Sequence, residues 1–167
     1  MTDDYAVLWQ NNTHARDLFY DLLARADRGA YDDDFIAQLA AYREASEDTE
    51  RADIFAAEYL LAQGDAESAA LCGERAFRRR PIEPRVWAVL SRAYAALGRY
   101  ADALIMQGYH LNFFHLPISL SLPPAALDAG TLDRLSRAAG TANYAPYALS
   151  RMSYAPETGL TAETSVF

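Results

Sequence analysis

Lysine is missing from this chain, and all 15 of its basic residues are arginine. That excludes Schiff-base chemistry on a lysine, a Walker-type phosphate lysine and a lysine general base. Cysteine occurs once, as Cys72, so neither an internal disulfide nor a zinc cluster built on cysteines can form. Positive charge is scarce: 23 acidic residues against 15 basic ones leave a formal net charge of −8, the wrong sign for a nucleic-acid or anionic-membrane partner. Long apolar runs are also lacking. The most apolar stretch, residues 103–122, is interrupted by Gln107, His110, Asn112, His115 and Pro117, which a spanning helix would not easily tolerate. The first ten residues, MTDDYAVLWQ, lack the basic start and apolar core of a secretion signal. These absences predict a soluble, cytoplasmic protein with no nucleic-acid and no membrane partner. At 167 residues the chain fits one domain that buries roughly 70% of its unfolded surface.

Catalytic signatures are missing as well: there is no glycine-rich phosphate loop, no serine elbow and no motif of paired carboxylates. His110 and His115 are five residues apart and turn to different helical faces, without a metal-ligand pattern around them. Asp32, Asp33 and Asp34 are consecutive, so on a helix they diverge rather than converge on one cation, and they suit the positive end of a helix dipole. Arg78, Arg79 and Arg80 suit the opposite end, with an anion site as the alternative. Cys72 lies beside Leu71 in an apolar helix and reads as a small buried group. No metal, cofactor or catalytic residue is assigned, and the chain is read as a non-enzyme.

What is present is a repeat. Placing residues 50–83 over residues 84–117 brings Gly64 onto Gly98, Ala69 onto Ala103, Ala62 onto Ala96 and Arg51 onto Arg85, an offset of 34 residues. Fixed periods of roughly 20–50 residues mark stacked architectures, because each unit exposes an apolar face that only its neighbour can cover. In the second unit Pro84 suits the first turn of a helix. Trp87, Leu90, Ser91 and Tyr94 share one helical face. Gly98 then stops the helix, and Tyr100, Ala103 and Leu104 open the next apolar stripe. Two antiparallel helices in contact need bulk at Trp87 and Tyr94 and small side chains at Ser91 and Ala103.

Trp-x-x-Leu-Ser-x-x-Tyr followed by Gly98, Tyr100 and Ala103 resembles a tetratricopeptide repeat (TPR), whose signature begins Trp-x-x-Leu-Gly-x-x-Tyr. Residues 50–83 match more loosely, through Ala57, Gly64, Ala69 and Pro81, with Asp53 in place of the tryptophan and Ala66 in place of the second aromatic. Residues 16–49 keep the phase with Phe19, Leu22, Leu23, Ala26 and Phe35 and read as a degenerate unit. The resemblance implies an all-α fold, an α-α superhelix or TPR-like solenoid of antiparallel helix pairs, spanning residues 1–140.

Helices are expected over 3–10, from Thr13 as the cap to Gly29, over 31–46, and then at 50–63, 66–79, 84–97 and 100–114. After His115 the stretch LPISLSLPP reads as an extended connector, and 125–140 as a capping helix with Asp128 or Thr131 at its start and Leu132 and Leu135 inward. Residues 141–167 are read as an irregular tail, a candidate linker to a further domain.

In stacked pairs the first helices line the concave side. If Ala56, Ala57 and Leu60 face the core, then Arg51, Ile54, Glu58 and Leu61 line a groove together with Arg85, Ala88, Arg92 and Ala95 from the next unit and Asp17, Tyr20, Ala24 and Asp27 from the degenerate one. Arginines among small apolar patches suit a peptide or protein partner bearing an acidic group. Chaperone-binding TPR modules clamp a C-terminal carboxylate with lysine, asparagine and arginine at places that hold Ile54, Phe55, Ala88 and Val89 here, without lysine or asparagine, a departure from that subclass. The expected function is protein–protein interaction through the groove of Tyr20, Arg51, Ile54, Glu58, Leu61, Arg85 and Arg92. The alternative is an accessory domain of a larger enzyme, for example a glycosyltransferase. The apolar segment 116–122 is a surface that a second copy could cover, giving a homodimer.

Overall fold

Four of the six helices of the repeat region begin at a side chain that satisfies a loose N–H of the first turn. In the computed structural model, which describes residues 12–114, isolated positions between 120 and 134, and the backbone of 152–155 and 159–162, the helices are α1 (Thr13–Asp27), α2 (Asp33–Ala45), α3 (Thr49–Ala62), α4 (Ala66–Arg79), α5 (Pro84–Ala96) and α6 (Tyr100–Phe114). Asn12, Asp32, Asp48 and Asp65 each accept a backbone N–H of the first turn on their side-chain oxygen, while Pro84 opens α5 without a side-chain cap.

The ends of α1, α3 and α5 share one geometry. Gly29, Gly64 and Gly98 stand at φ of 68°, 84° and 71°. Behind them the N–H groups of Ala30, Asp65 and Arg99 reach back to the carbonyls of Arg25, Leu60 and Tyr94 at 3.0, 2.9 and 2.8 Å. This is the Schellman closure, and a side chain at the glycine would strain it. Gly29 therefore does in the first unit what Gly64 and Gly98 do in the others. The 34-residue offset misses it because α2 begins four residues after its glycine, whereas α4 and α6 begin two residues after theirs.

Consecutive helices pack side by side throughout, and in addition α1 touches α3 and α3 touches α5. Short connections make such neighbours antiparallel. The described helical region is thus an all-α assembly of three adjacent pairs, α1/α2, α3/α4 and α5/α6. Its apolar interior forms two clusters. One is built on Phe19, Leu22, Phe35, Tyr42 and Phe55, the other on Ile54, Val86, Trp87, Leu90 and Tyr94. Within α5/α6 the small residues act as expected: Ser91 is fully buried and its hydroxyl donates to the Ala103 carbonyl at 2.8 Å. Between α4 and α5 the close approach falls at Gly73, where an added Cβ would lie 2.7 Å from Leu90 Cδ2.

The shared register of the two later units hides different chemistry. Trp87 is buried, stacks on Tyr109 with ring centroids 6.1 Å apart, and donates its indole N–H to the Pro81 carbonyl at 2.8 Å. At the equivalent place in the preceding unit, the buried Asp53 accepts from Arg75 at 3.1 and 3.0 Å and from Arg43 at 3.5 Å. That hydrogen bonding is the main reason the Arg75 pKa moves up.

Beyond α6 the described residues of the expected cap include a helical turn at 129–131 and at 133 and 134, with the Asp128 side chain accepting from Thr131 N at 2.7 Å. Arg134 pairs with Asp102 of α6, and Ala126 is buried. Leu132, Leu135, His115, the expected helix over 3–10 and most of segment 116–122 lie outside the described residues. The tail departs from the irregular structure expected of it. β1 (Met152–Ala155) and β2 (Gly159–Ala162) pair antiparallel in the register Met152↔Ala162 to Ala155↔Gly159. Strands of four residues are too short for alternation to stand out in a sequence, though Tyr154 and Thr161 are good strand formers.

Candidate interaction groove

The first helices of the three pairs enclose an open groove of about 400 Å³, lined by Ala26, Asp27, Tyr31, Glu58, Leu61, Ala62, Arg85, Ala88, Val89 and Arg92. Helical spacing puts these groups together: Glu58, Leu61 and Ala62 follow each other on one stripe of α3, and Arg85, Ala88, Val89 and Arg92 on one stripe of α5. α1 contributes its last turn, and the turn after Gly29 contributes Tyr31.

Arg85 is the centre of the polar floor. Its Nε and Nη2 donate to Glu58 Oε1 and Oε2 at 2.9 and 2.8 Å, and its Nη1 donates to Asp27 Oδ1 at 2.5 Å. The guanidinium also sits 5.8 Å from the centre of the Phe55 ring. One side chain thereby ties α5 to both α3 and α1. The Glu58 side chain is only 14% exposed and that of Arg85 28%. Burial pushes the Glu58 carboxyl up from its ordinary range, with Arg85 pulling against it. Burial alone would lower the Arg85 pKa, but the Glu58 and Asp27 carboxylates overcome it and the value moves up. Arg85 is therefore a fixed positive charge already matched by two carboxylates.

Tyr31 closes one side of the groove. Its hydroxyl donates to the Ala26 carbonyl at 3.4 Å, and its pKa is pushed up to about 12, chiefly by burial and then by Glu58. Arg92, by contrast, is exposed and forms no ion pair among the described residues.

Four of the seven residues expected in the groove are brought together: Glu58, Leu61, Arg85 and Arg92. Three are not. Ile54 is 3% exposed and belongs to the core between the second and third pairs. Arg51 is 4% exposed, forms an ion pair with Asp48 and lies 5.7 Å from the centre of the Phe19 ring. Tyr20 is exposed on α1 but away from the groove, edge-on to Phe19 with centroids 5.4 Å apart. The reason is the position of α3. It is packed against α1, α2, α4 and α5, so residues 51–57 are buried without interruption and the helix has no open face over its first half.

Sequence reasoning missed Tyr31 altogether. The available signal was an aromatic residue between a turn glycine and an aspartate N-cap, in a turn two residues longer than those of the other pairs. Elsewhere, Arg79 and Arg80 end α4 as expected, with Arg79 Nη1 donating to Thr49 Oγ1 at 2.5 Å. Cys72 is buried and accepts from Arg75 at 3.2 Å. Among the described residues no group of three or more metal-ligating side chains is placed to hold an ion, and no helix is long and apolar enough to cross a membrane. Compared with protein-family models, with curated proteins and with solved structures, the chain matches none.

Proposed function

We propose that this chain is a non-enzymatic, TPR-like interaction module whose three helix pairs wind as a superhelix and hold a segment of another protein in the groove between α1, α3 and α5. The observation that carries this reading is the division of labour in that groove. Arg85 pairs with both Asp27 and Glu58 and fixes the spacing of the first helices, while the exposed Arg92 and the half-buried Leu61 and Ala88 line the open side of the groove. Contacts between successive first helices, α1 with α3 and α3 with α5, support the winding, because the inner layer of a curved stack is the crowded one. The Schellman closure at all three unit ends supports the kinship of the units.

The test is affinity capture from source-cell extract by wild type, Ala88→Trp, Arg92→Glu and Arg78→Glu. Ala88→Trp fills the groove and Arg92→Glu inverts its open charge, whereas Arg78 lies on α4 outside it. A partner retained by wild type and Arg78→Glu but lost from both groove variants supports the reading. Equal capture by all four rejects it.

A further inference from the structure

The charges around the groove specify the chemistry of its occupant, given that the groove between α1, α3 and α5 is where a partner binds. We infer that the occupant is a protein segment presenting one aspartate or glutamate side chain to Arg92 among apolar residues, and that the groove selects against phosphorylated and basic segments. Four groups facing the groove carry a formal charge: Asp27 from α1, Glu58 from α3, and Arg85 and Arg92 from α5. Their formal charges cancel. Arg85 commits three of its five N–H donors, two to Glu58 and one to Asp27, so its charge is already shared between two carboxylates. Arg92 alone offers a planar fork, which matches a carboxylate in bidentate fashion.

A single carboxylate on Arg92 completes the pairing. A phosphoryl dianion would bring a second negative charge into a groove already bordered by Asp27 and Glu58, with no further cation to meet it. A basic side chain would face Arg92, with Glu58 held on both oxygens by Arg85 and Asp27 held on one. Apart from Tyr31, the rest of the wall, Ala26, Leu61, Ala62, Ala88 and Val89, is apolar, and about 400 Å³ suits a few side chains of a segment rather than a whole packed domain.

The probe is a phage-displayed library of random dodecapeptides, panned on the full 167-residue chain and on its Arg92→Gln and Ala88→Trp variants, each shown folded by circular dichroism. Clones enriched on wild type are expected to share one Asp or Glu flanked by apolar residues. The leading clone, made as a synthetic peptide, should lose at least about tenfold in affinity on Arg92→Gln, and as much when its own acidic residue becomes the amide. Its phosphoserine version should bind no more tightly than the parent. Enriched peptides without an acidic residue, affinity indifferent to Arg92→Gln, or tighter phosphoserine binding would overturn the inference while the groove reading stands, provided Ala88→Trp abolishes binding. Absence of enrichment, or binding that survives Ala88→Trp, would overturn both.

Discussion

Replacing Arg85 by methionine keeps most of the side-chain volume and removes the charge that holds Glu58 and Asp27. The cost can be bracketed from exposure. Breaking a fully buried pair costs about 3–5 kcal/mol because a charge is stranded, whereas an exposed pair is worth about 0–1 kcal/mol. Glu58 is nearly buried at 14% side-chain exposure, Arg85 stands at 28%, and Asp27 at 60% can return to water. The loss should therefore be about 2 kcal/mol, almost all of it from Glu58. For a chain of this size that is a fall in Tm of about 4–8 °C, read by circular dichroism at neutral pH.

The stranded carboxylate supplies two further checks. Adding Glu58→Gln to Arg85→Met removes the charge that causes the penalty, so the double variant should be more stable than Arg85→Met alone. Burial already holds the Glu58 pKa up and Arg85 is the main group opposing it, so losing Arg85 raises it further. A carboxyl whose folded-state pKa exceeds its unfolded value contributes stability below the unfolded value and loses it as pH rises through the folded one. The deficit of Arg85→Met must accordingly shrink on acidification. A variant within about 0.5 kcal/mol of wild type, or a double variant weaker than the single, would refute the assignment of Arg85 as the pin between the three pairs.

Three other outcomes follow from the packing. Gly73→Ala should destabilise by about 1 kcal/mol in urea melts, since overpacking against the buried Leu90 costs about 1–3 kcal/mol and helix propensity returns about 1 kcal/mol; a stabilised variant would contradict the close approach at 2.7 Å. Gly98→Ala should cost about 1 kcal/mol because its φ of 71° is retained by the Schellman closure, and an unchanged Tm would show that the turn can be remade. Tyr31 ionises at 10.0 when unfolded and near 12 when folded, so the unfolded state sheds its proton first and stability must fall as pH rises between those values. Tyr31→Phe should flatten that fall by one group's share, with Tyr42 and Tyr94 contributing the remainder, and an identical pH profile would place Tyr31 in water.

Helix boundaries were legible because they depend on local chemistry. Gly64, Gly98 and Pro84 act within a turn of where they stand, so a sequence displays them directly. Half the groove was legible for a related reason: the spacing of Glu58 with Leu61 and of Arg85 with Arg92 is a property of single helices. The failures at Ile54 and Arg51 arise where the answer depends on neighbours. Periodicity divides a helix into an inner and an outer face, and α3 has no outer face over residues 51–57 because four helices surround it. The reach of Arg85 to Asp27, which is 58 residues away, was equally out of view. An arginine that would have been credited with holding a ligand turns out to hold the scaffold.

The units also show which part of the repeat pattern is physically required. Residue 87 is a packed tryptophan and residue 53, its counterpart, is an aspartate tied to two arginines, yet both sit buried at the same place in their pairs. Aromatic bulk is therefore one of two ways to fill that position, the other being an ion pair whose charges are satisfied on the spot. What does not vary is the left-handed glycine after each first helix, while the fully buried small residues Ala57, Ser91, Ala69 and Ala103 are shared by the two later units and the first unit has Phe35 in place of the last two. The glycine has no chemical substitute, since a side chain there strains the turn, and in the later pairs a larger group at the small positions would separate the backbones. A unit can lose the aromatic signature and still stack, and the looser match of residues 50–83 belongs to the best-surrounded pair of the fold.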